Sequence, residues 1–393
     1  LKPDASAFCA ADFPIALLQR RVMSQLRGMR FVGRPIDRAA TLNIRKDAEK
    51  VKEIQRSGRA RFLVTHLTVK ERGGAAIMST TMDPPSIAWW TSEELRAVSM
   101  EAERGAIYLG PVVAGGPALD AGVEGPVEAF AVDLSPFLSL EAAKAQASEE
   151  RRTRWSSGRE LLTSSAADCD VTMAGLALAL VQWSDKGRFD GCTGKPTEAI
   201  EGGVKRQEIG GRGRTYPRTD PVAIGLIVSP DQTQILLAGR PGMIGMYTCI
   251  SGFVDQCESV EEAFRREAVE EVGVRLASVE LFASQAWPLG RAGSCELMVG
   301  CRAVASSMHI MPNLEEVSDA RWFGRPEVLT MLQGTHPEKL WVPGPYAIAH
   351  HLIQSWASGP VPEASSWRVL TQVGPAVLLA IFAVAASRFF SRL

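Results

Sequence analysis

The chain has 393 residues, with 43 Lys and Arg against 44 Asp and Glu and a formal charge of −1; this excludes a protein drawn to nucleic acid by net charge alone. The length suffices for two ordinary domains with substantial cores. Seven cysteines are scattered without a CxxC pair, which excludes a disulfide framework and a complete zinc ribbon and fits reduced thiols.

Residues 1–59 read as irregular and basic. Arg20, Arg21, Arg27, Arg30, Arg34 and Arg38 stand among apolar residues, with no acid between Phe13 and Pro35. Such an Arg-rich, acid-poor stretch has the character of a mitochondrial presequence or of a basic surface helix. Residues 60–185 then form a small mixed domain. ARFLVTHLTV, SIAWW, AIYLGPVV and EAFAVDLS are short apolar runs bounded by Gly, Pro and Asp, as strands are. Leu140–Ser148 and Asp170–Ser184 carry helical periodicity. Residues 186–213 are a linker without evident chemistry.

Residues 214–358 make the second module. Val222–Ser229, a Pro-Asp turn and QILLAGR predict a hairpin, and Ser278–Ser284, Glu296–Val304 and Ala320–Phe323 are strand-like. Between them lies Gly252–Val274, GFVDQCESVEEAFRREAVEEVGV. Ser259 and Glu262 predict a capping box, and Gly273 the left-handed residue after the last turn. Val260, Ala263, Phe264, Ala268 and Val272 fall on one face. Glu267, Glu270 and Glu271 gather at i, i+3 and i+4. Three clustered carboxylates repel one another unless cations neutralise them, and such hard oxygen donors suit Mg²⁺ or Mn²⁺. A solvated acidic face is the plainer alternative for the carboxylates taken alone.

Residues 359–368 form a Pro/Ser-rich linker. Residues 369–387 carry no charge and are flanked by Arg368, Arg388 and Arg392. That length suits a bilayer core, so a C-terminal transmembrane tail anchor is expected, with a buried terminal helix as the alternative. The final Ser-Arg-Leu is similar to a peroxisomal address, leaving peroxisome and mitochondrion both open for a membrane-anchored protein.

Gly252, Glu258, Arg266, Glu267, Ala268, Glu270, Glu271, Gly273 and Val274 fill G-x5-E-x7-R-E-U-x-E-E-x-G-U, with U apolar. The chain thereby resembles the Nudix hydrolase superfamily. Ser284-Gln285-Ala286-Trp287-Pro288-Leu289 resembles the SQPWPFPxS signature of its NADH pyrophosphatase branch, some members of which remove NAD caps from RNA. Ala286 and Leu289-Gly290 depart from that signature. Trp183…Arg188-Phe189-Asp190-Gly191-Cys192-Thr193-Gly194 is similar to the passage where the branch begins a zinc ribbon, here reduced to Cys192, so no zinc is expected.

The resemblance implies an α/β Nudix sandwich with a mixed sheet behind a small α+β domain. It implies catalysis by Glu267, Glu270 and Glu271 with Arg266 anchoring them. Two or three Mg²⁺ or Mn²⁺ ions are expected on Glu267, Glu270, Glu271, Glu316 and the Ser251 carbonyl. Tyr216, Phe253, Gln285, Trp287, Pro288 and Ala349 are the expected substrate contacts. The expected substrate is NADH or NAD⁺, cleaved to nicotinamide mononucleotide and AMP, with NAD-capped RNA, ADP-ribose, a dinucleoside polyphosphate or a CoA ester as alternatives. A membrane-tethered NAD(H) sensor is the non-enzymatic alternative, and a homodimer is left open.

Overall fold

The structure is a computed structural model and describes residues 26–31, 35–71, 74–113, 115–117, 119, 123–149, 151–290 and 293–359. The first helices among the described residues are α1 (Arg38–Lys46) and α2 (Ala48–Arg56). Asp37 and Asp47 cap their first turns, so a stretch read as irregular from its arginines is helical because two aspartates satisfy free amides.

The first sheet contains β1 (Ala60–Glu71), β2 (Gly74–Thr80), β3 (Trp89–Trp90), β4 (Ile107–Pro111), β5 (Glu128–Asp133) and β6 (Thr153–Ser157). Its order is β4-β5-β1-β2-β6, with β3 also on β1, and only β1 and β5 run parallel. Alternation along β1 divides its side chains between two cores. Phe62 and Val64 pack with Val51 and Ile54 of α2 and with Leu95 and Ala102 of α3 (Ser92–Val98) and α4 (Met100–Arg104). Leu63 faces the other way, onto Ala174, Ala177 and Leu178. Those three lie on α7 (Asp168–Lys186), which follows α5 (Leu140–Gln146) and α6 (Gly158–Thr163).

A three-stranded ribbon follows: β7 (Thr197–Ile200), β8 (Lys205–Glu208) and β9 (Arg214–Thr215). Where a metal-binding knuckle was expected in reduced form, Asp190 accepts the amides of Cys192 and Thr193, each at 2.9 Å. Arg206 then cross-links Gly187, Thr197 and Ser184 at 2.8–3.1 Å.

The second sheet holds β10 (Asp220–Val228), β11 (Gln234–Gly239), β12 (Tyr247–Thr248), β13 (Ile250–Phe253), β14 (Leu276–Trp287), β15 (Glu296–Ala305) and β16 (Asp319–Gly324). Its order is β12-β11-β10-β15-β14, with β13 on β10 and β16 on β11; β10 and β15 run parallel. One face, including Ala223 and Ile227, meets Ala263, Phe264 and Ala268 of α8 (Val260–Val272). The other, including Ile224, Leu226 and Val228, meets α9 (Arg325–Gln333) and α10 (Ile348–Ala357), together with Leu26 and Met29.

The mixed α/β sandwich is as expected, but one part of the expected architecture is corrected. Among the described residues no helix is long and apolar enough to cross a membrane, and residues 369–387 lie outside the described residues. The transmembrane helix is therefore withdrawn, and with it the membrane-anchored peroxisomal or mitochondrial location.

Helix α8 is seated by a ring on a glycine. A Cβ at Gly225 would lie only 2.0 Å from the Phe264 ring, and Phe264 itself is wholly buried. Phe264→Ala is expected to cost about 3–5 kcal/mol of unfolding free energy, and Gly225→Ala to destabilise by unseating the ring; urea denaturation measures both.

Candidate active site

The site is built around α8. The Ser259 amide donates to Glu262 at 2.8 Å and the Glu262 amide to Ser259 Oγ at 3.2 Å, closing the expected capping box. Gly273 ends the helix in the left-handed region, at φ 70°, where side chains other than glycine are strained.

Between these ends Arg266 makes five hydrogen bonds. Its Nε and Nη2 each donate to Glu258 at 3.0 Å, and Nη2 donates also to the Phe253 carbonyl at 2.8 Å. Nη1 donates to Glu267 at 2.7 Å and to Glu270 at 2.9 Å. The Glu258 bond, foremost among these partners, raises the Arg266 pKa still further above its ordinary value, and Arg266 in turn lowers that of Glu258. One guanidinium thus ties the strand end at Phe253, the loop at Glu258 and two helix carboxylates together.

Glu267 is buried, and burial raises its pKa although Arg266 opposes the shift. Its carboxylate lies against Gly252: a Cβ there would fall 1.9 Å from Glu267 Cδ. The glycine of the motif is a glycine because the carboxylate occupies that space. Glu271 is pushed up to about 8, first by burial and then by the charges of Glu267 and Glu316, against the pull of Arg240 and an amide hydrogen bond from Ser251. A carboxyl held so far from its usual range among other carboxylates is a common mark of a functional site.

Glu267, Glu271 and Glu316 line a cleft of about 660 Å³ with Ser251, Phe253, Arg266 and Trp287. Arg159, Arg240, Asp255 and Glu296 also line it; these four were missed by the sequence reading. Arg240 ends the apolar run QILLAGR, and a lone cation closing a strand beside an acidic motif was the available signal.

The other expected residues lie elsewhere. Glu270 is exposed on the Arg266 side of α8 and does not line the cleft. Tyr216 lines a neighbouring cavity of about 840 Å³ with Arg38, Arg45, Trp183 and Arg218, and Lys205 Nζ stands 5.4 Å over its ring. Glu296 borders both spaces. Gln285 is buried with its amide bonded to backbone. Ala349 is buried and its carbonyl accepts the Cys249 thiol at 3.9 Å. Pro288 packs so closely on α7 that a Cβ at Gly175 would lie 2.6 Å from its ring.

Among the described residues no three His, Cys, Asp or Glu side chains form a ready-made metal cage. The donor set nevertheless fits a divalent cation that keeps waters and borrows ligands from a substrate phosphate, as Mg²⁺ does. Its mark is the mutual repulsion of Glu267, Glu271 and Glu316, which a cation would relieve.

Residues 219–342 match the NUDIX domain family. NAD-capped RNA hydrolase NUDT12 of Homo sapiens is 38% identical over 190 residues, covering 46% of this chain and 40% of that protein. NAD(P)H pyrophosphatase NUDT13, mitochondrial, of Homo sapiens is 38% identical over 200 residues, covering 48% and 55%. NAD-capped RNA hydrolase NudC of Pseudomonas syringae pv. tomato is 36% identical over 152 residues, covering 38% and 52%. The chain thus spans about half the length of the curated relatives it matches. It carries a Nudix domain, and its relatives bear the names of the NADH pyrophosphatase and NAD-cap hydrolase branch.

Proposed function

We propose that this chain hydrolyses the pyrophosphate of NADH and NAD⁺, giving nicotinamide mononucleotide, reduced or oxidised, and AMP. The observation that carries this reading is Glu267, held by Arg266, standing with Glu271 and Glu316 on a cleft that also holds Trp287 and Phe253. The names of the relatives point the same way.

Glu267, Glu271, Glu316 and the Ser251 carbonyl would hold Mg²⁺ or Mn²⁺, two or three ions per site, with no structural zinc. Bound divalent ions supply charge neutralisation for the pyrophosphate and acidify water. Arg266 fixes the Glu267 carboxylate so that it does not turn away. Arg240 and Arg159 add positive charge on the walls, where phosphate oxygens need it. Trp287 and Phe253 offer aromatic faces to a base or nicotinamide ring. Glu316 lines the cleft whereas Glu270 is engaged by Arg266 outside it, so the Glu316 carboxylate is the better placed to accept the proton of the attacking water. A second reading, NAD-capped RNA, is favoured by one observation: the cavity with Arg38, Arg45, Lys205, Arg218 and Tyr216 adjoins the cleft at Glu296, where an anionic chain could leave.

With Mg²⁺ and NADH, Glu316→Gln is expected to lower kcat by at least about a hundredfold, the lower range for a lost general base. Chromatography of AMP release measures it, and unchanged kcat would remove Glu316 from that role. Glu271 carries a pH signature. Its folded pKa of about 8 lies above the ordinary 4.5, so the folded state holds a proton that the unfolded chain releases. Its contribution is whole below pH 4.5 and is lost as pH rises through 8. Cation-free protein should therefore lose Tm over that window, and Glu271→Gln should flatten the slope in a calorimetric pH series.

A further inference from the structure

We propose that Gln285 is a positioning residue that locks the N-terminal segment 26–31 into the cleft wall and so sets where Trp287 stands. The inference rests on the reading of the cleft as a dinucleotide site.

Gln285 is 1% exposed, and its amide is used on both sides. Nε2 donates to the carbonyls of Arg30 at 2.9 Å and Tyr346 at 2.7 Å, while Oε1 accepts the Ile348 amide at 2.8 Å. Arg30 closes the circuit by donating its own amide to Tyr346 at 3.2 Å. One side chain therefore joins β14, the approach to α10 and a segment more than 250 positions earlier. It has no donor left for a substrate.

Trp287 is two residues further along β14, on the same face as Gln285. Phe31, next to Arg30, meets the Trp287 ring edge-on at 6.0 Å and 86°. Phe31 is buried with Leu162, Ala166 and Val171, and Leu289 and Tyr346 pack on this cluster. The segment is pinned at both ends. Leu26 and Met29 enter the core under the second sheet, and the Arg30 guanidinium bonds to Asp168, to the Ala166 carbonyl at 2.7 Å and to the Ser164 carbonyl at 3.2 Å. Trp287 thus rests on a wedge whose depth Gln285 fixes. Glu267 and Glu270 of α8 are held separately, by Arg266. Releasing the wedge should therefore disturb substrate binding and leave the hydrolytic step largely intact.

The test uses the full chain and two variants. Gln285→Glu keeps the size and the acceptor but removes both donors and turns a carboxylate towards two carbonyls; Phe31→Leu removes the ring behind Trp287. Each is expected to raise KM for NADH about tenfold with kcat within about twofold. The double variant should fall short of the product of the two, because both act through one wall. Hydrogen exchange without NADH should speed up across residues 285–289 in both variants. Faster exchange with unchanged KM would overturn the proposal, as would a loss confined to kcat. A parent protein inert towards NADH would instead fail the hydrolase reading. The wedge would then stand or fall on exchange alone, with unchanged protection at 285–289 overturning it.

Discussion

The acidic end of the site depends on one guanidinium set among carboxylates. Glu258, Glu267 and Glu270 converge on Arg266, and without it they would repel one another and leave Glu267 buried without its counter-charge. Removing one partner from such a pair is costly because the other charge remains desolvated. Arg266 also reaches the Phe253 carbonyl, so the same group that neutralises the helix carboxylates fixes the strand end that supplies Ser251, Gly252 and Phe253. Charge balance and cleft shape are therefore one constraint. Glu271 lies outside that balance, and burial together with the charges of Glu267 and Glu316 raises its pKa.

The cleft is a joint product of the two halves of the chain. Arg159, from α6 of the first half, lines it with Trp287 and Leu289 of the second. A Cβ at Gly158 would lie 2.4 Å from Leu289 and one at Gly175 2.6 Å from Pro288. The absence of side chains at these glycines lets the loop after β14 press onto α6 and α7. Contacts this close transmit small displacements, since packed interiors have few voids to absorb them. The first half thus helps to shape a cleft to which it brings few polar groups.

How much of this was legible follows from the range of the interactions. The helix Val260–Val272, its caps and the gathering of Glu267, Glu270 and Glu271 are set within four residues of sequence, and spacing reveals them. The strands Ala60–Glu71, Ile107–Pro111, Glu128–Asp133, Asp220–Val228 and Glu296–Ala305 are marked by their apolar runs. Gly74–Thr80 was not recognised, because GAAIMST is short and rich in small residues. Helices α1 and α2 are masked in the sequence by the surrounding arginines, their signal being the caps Asp37 and Asp47. The family resemblance implies a substrate contact for Gln285, yet its amide is consumed by backbone from distant segments, a fact only tertiary structure reveals. Tyr216 and Arg240 show the same limit: neighbourhood in sequence did not say which cavity each would line.

The most direct test is calorimetric titration of the protein with Mn²⁺ at pH 7, in two buffers of different ionisation enthalpy. Glu271, with a pKa of about 8 before the ion binds, should surrender close to one proton per site, since ligand carboxylates deprotonate on metal binding. Glu271→Gln should abolish that release. Binding with no proton released, or release undiminished in the variant, would contradict a cation seated among Glu267, Glu271 and Glu316.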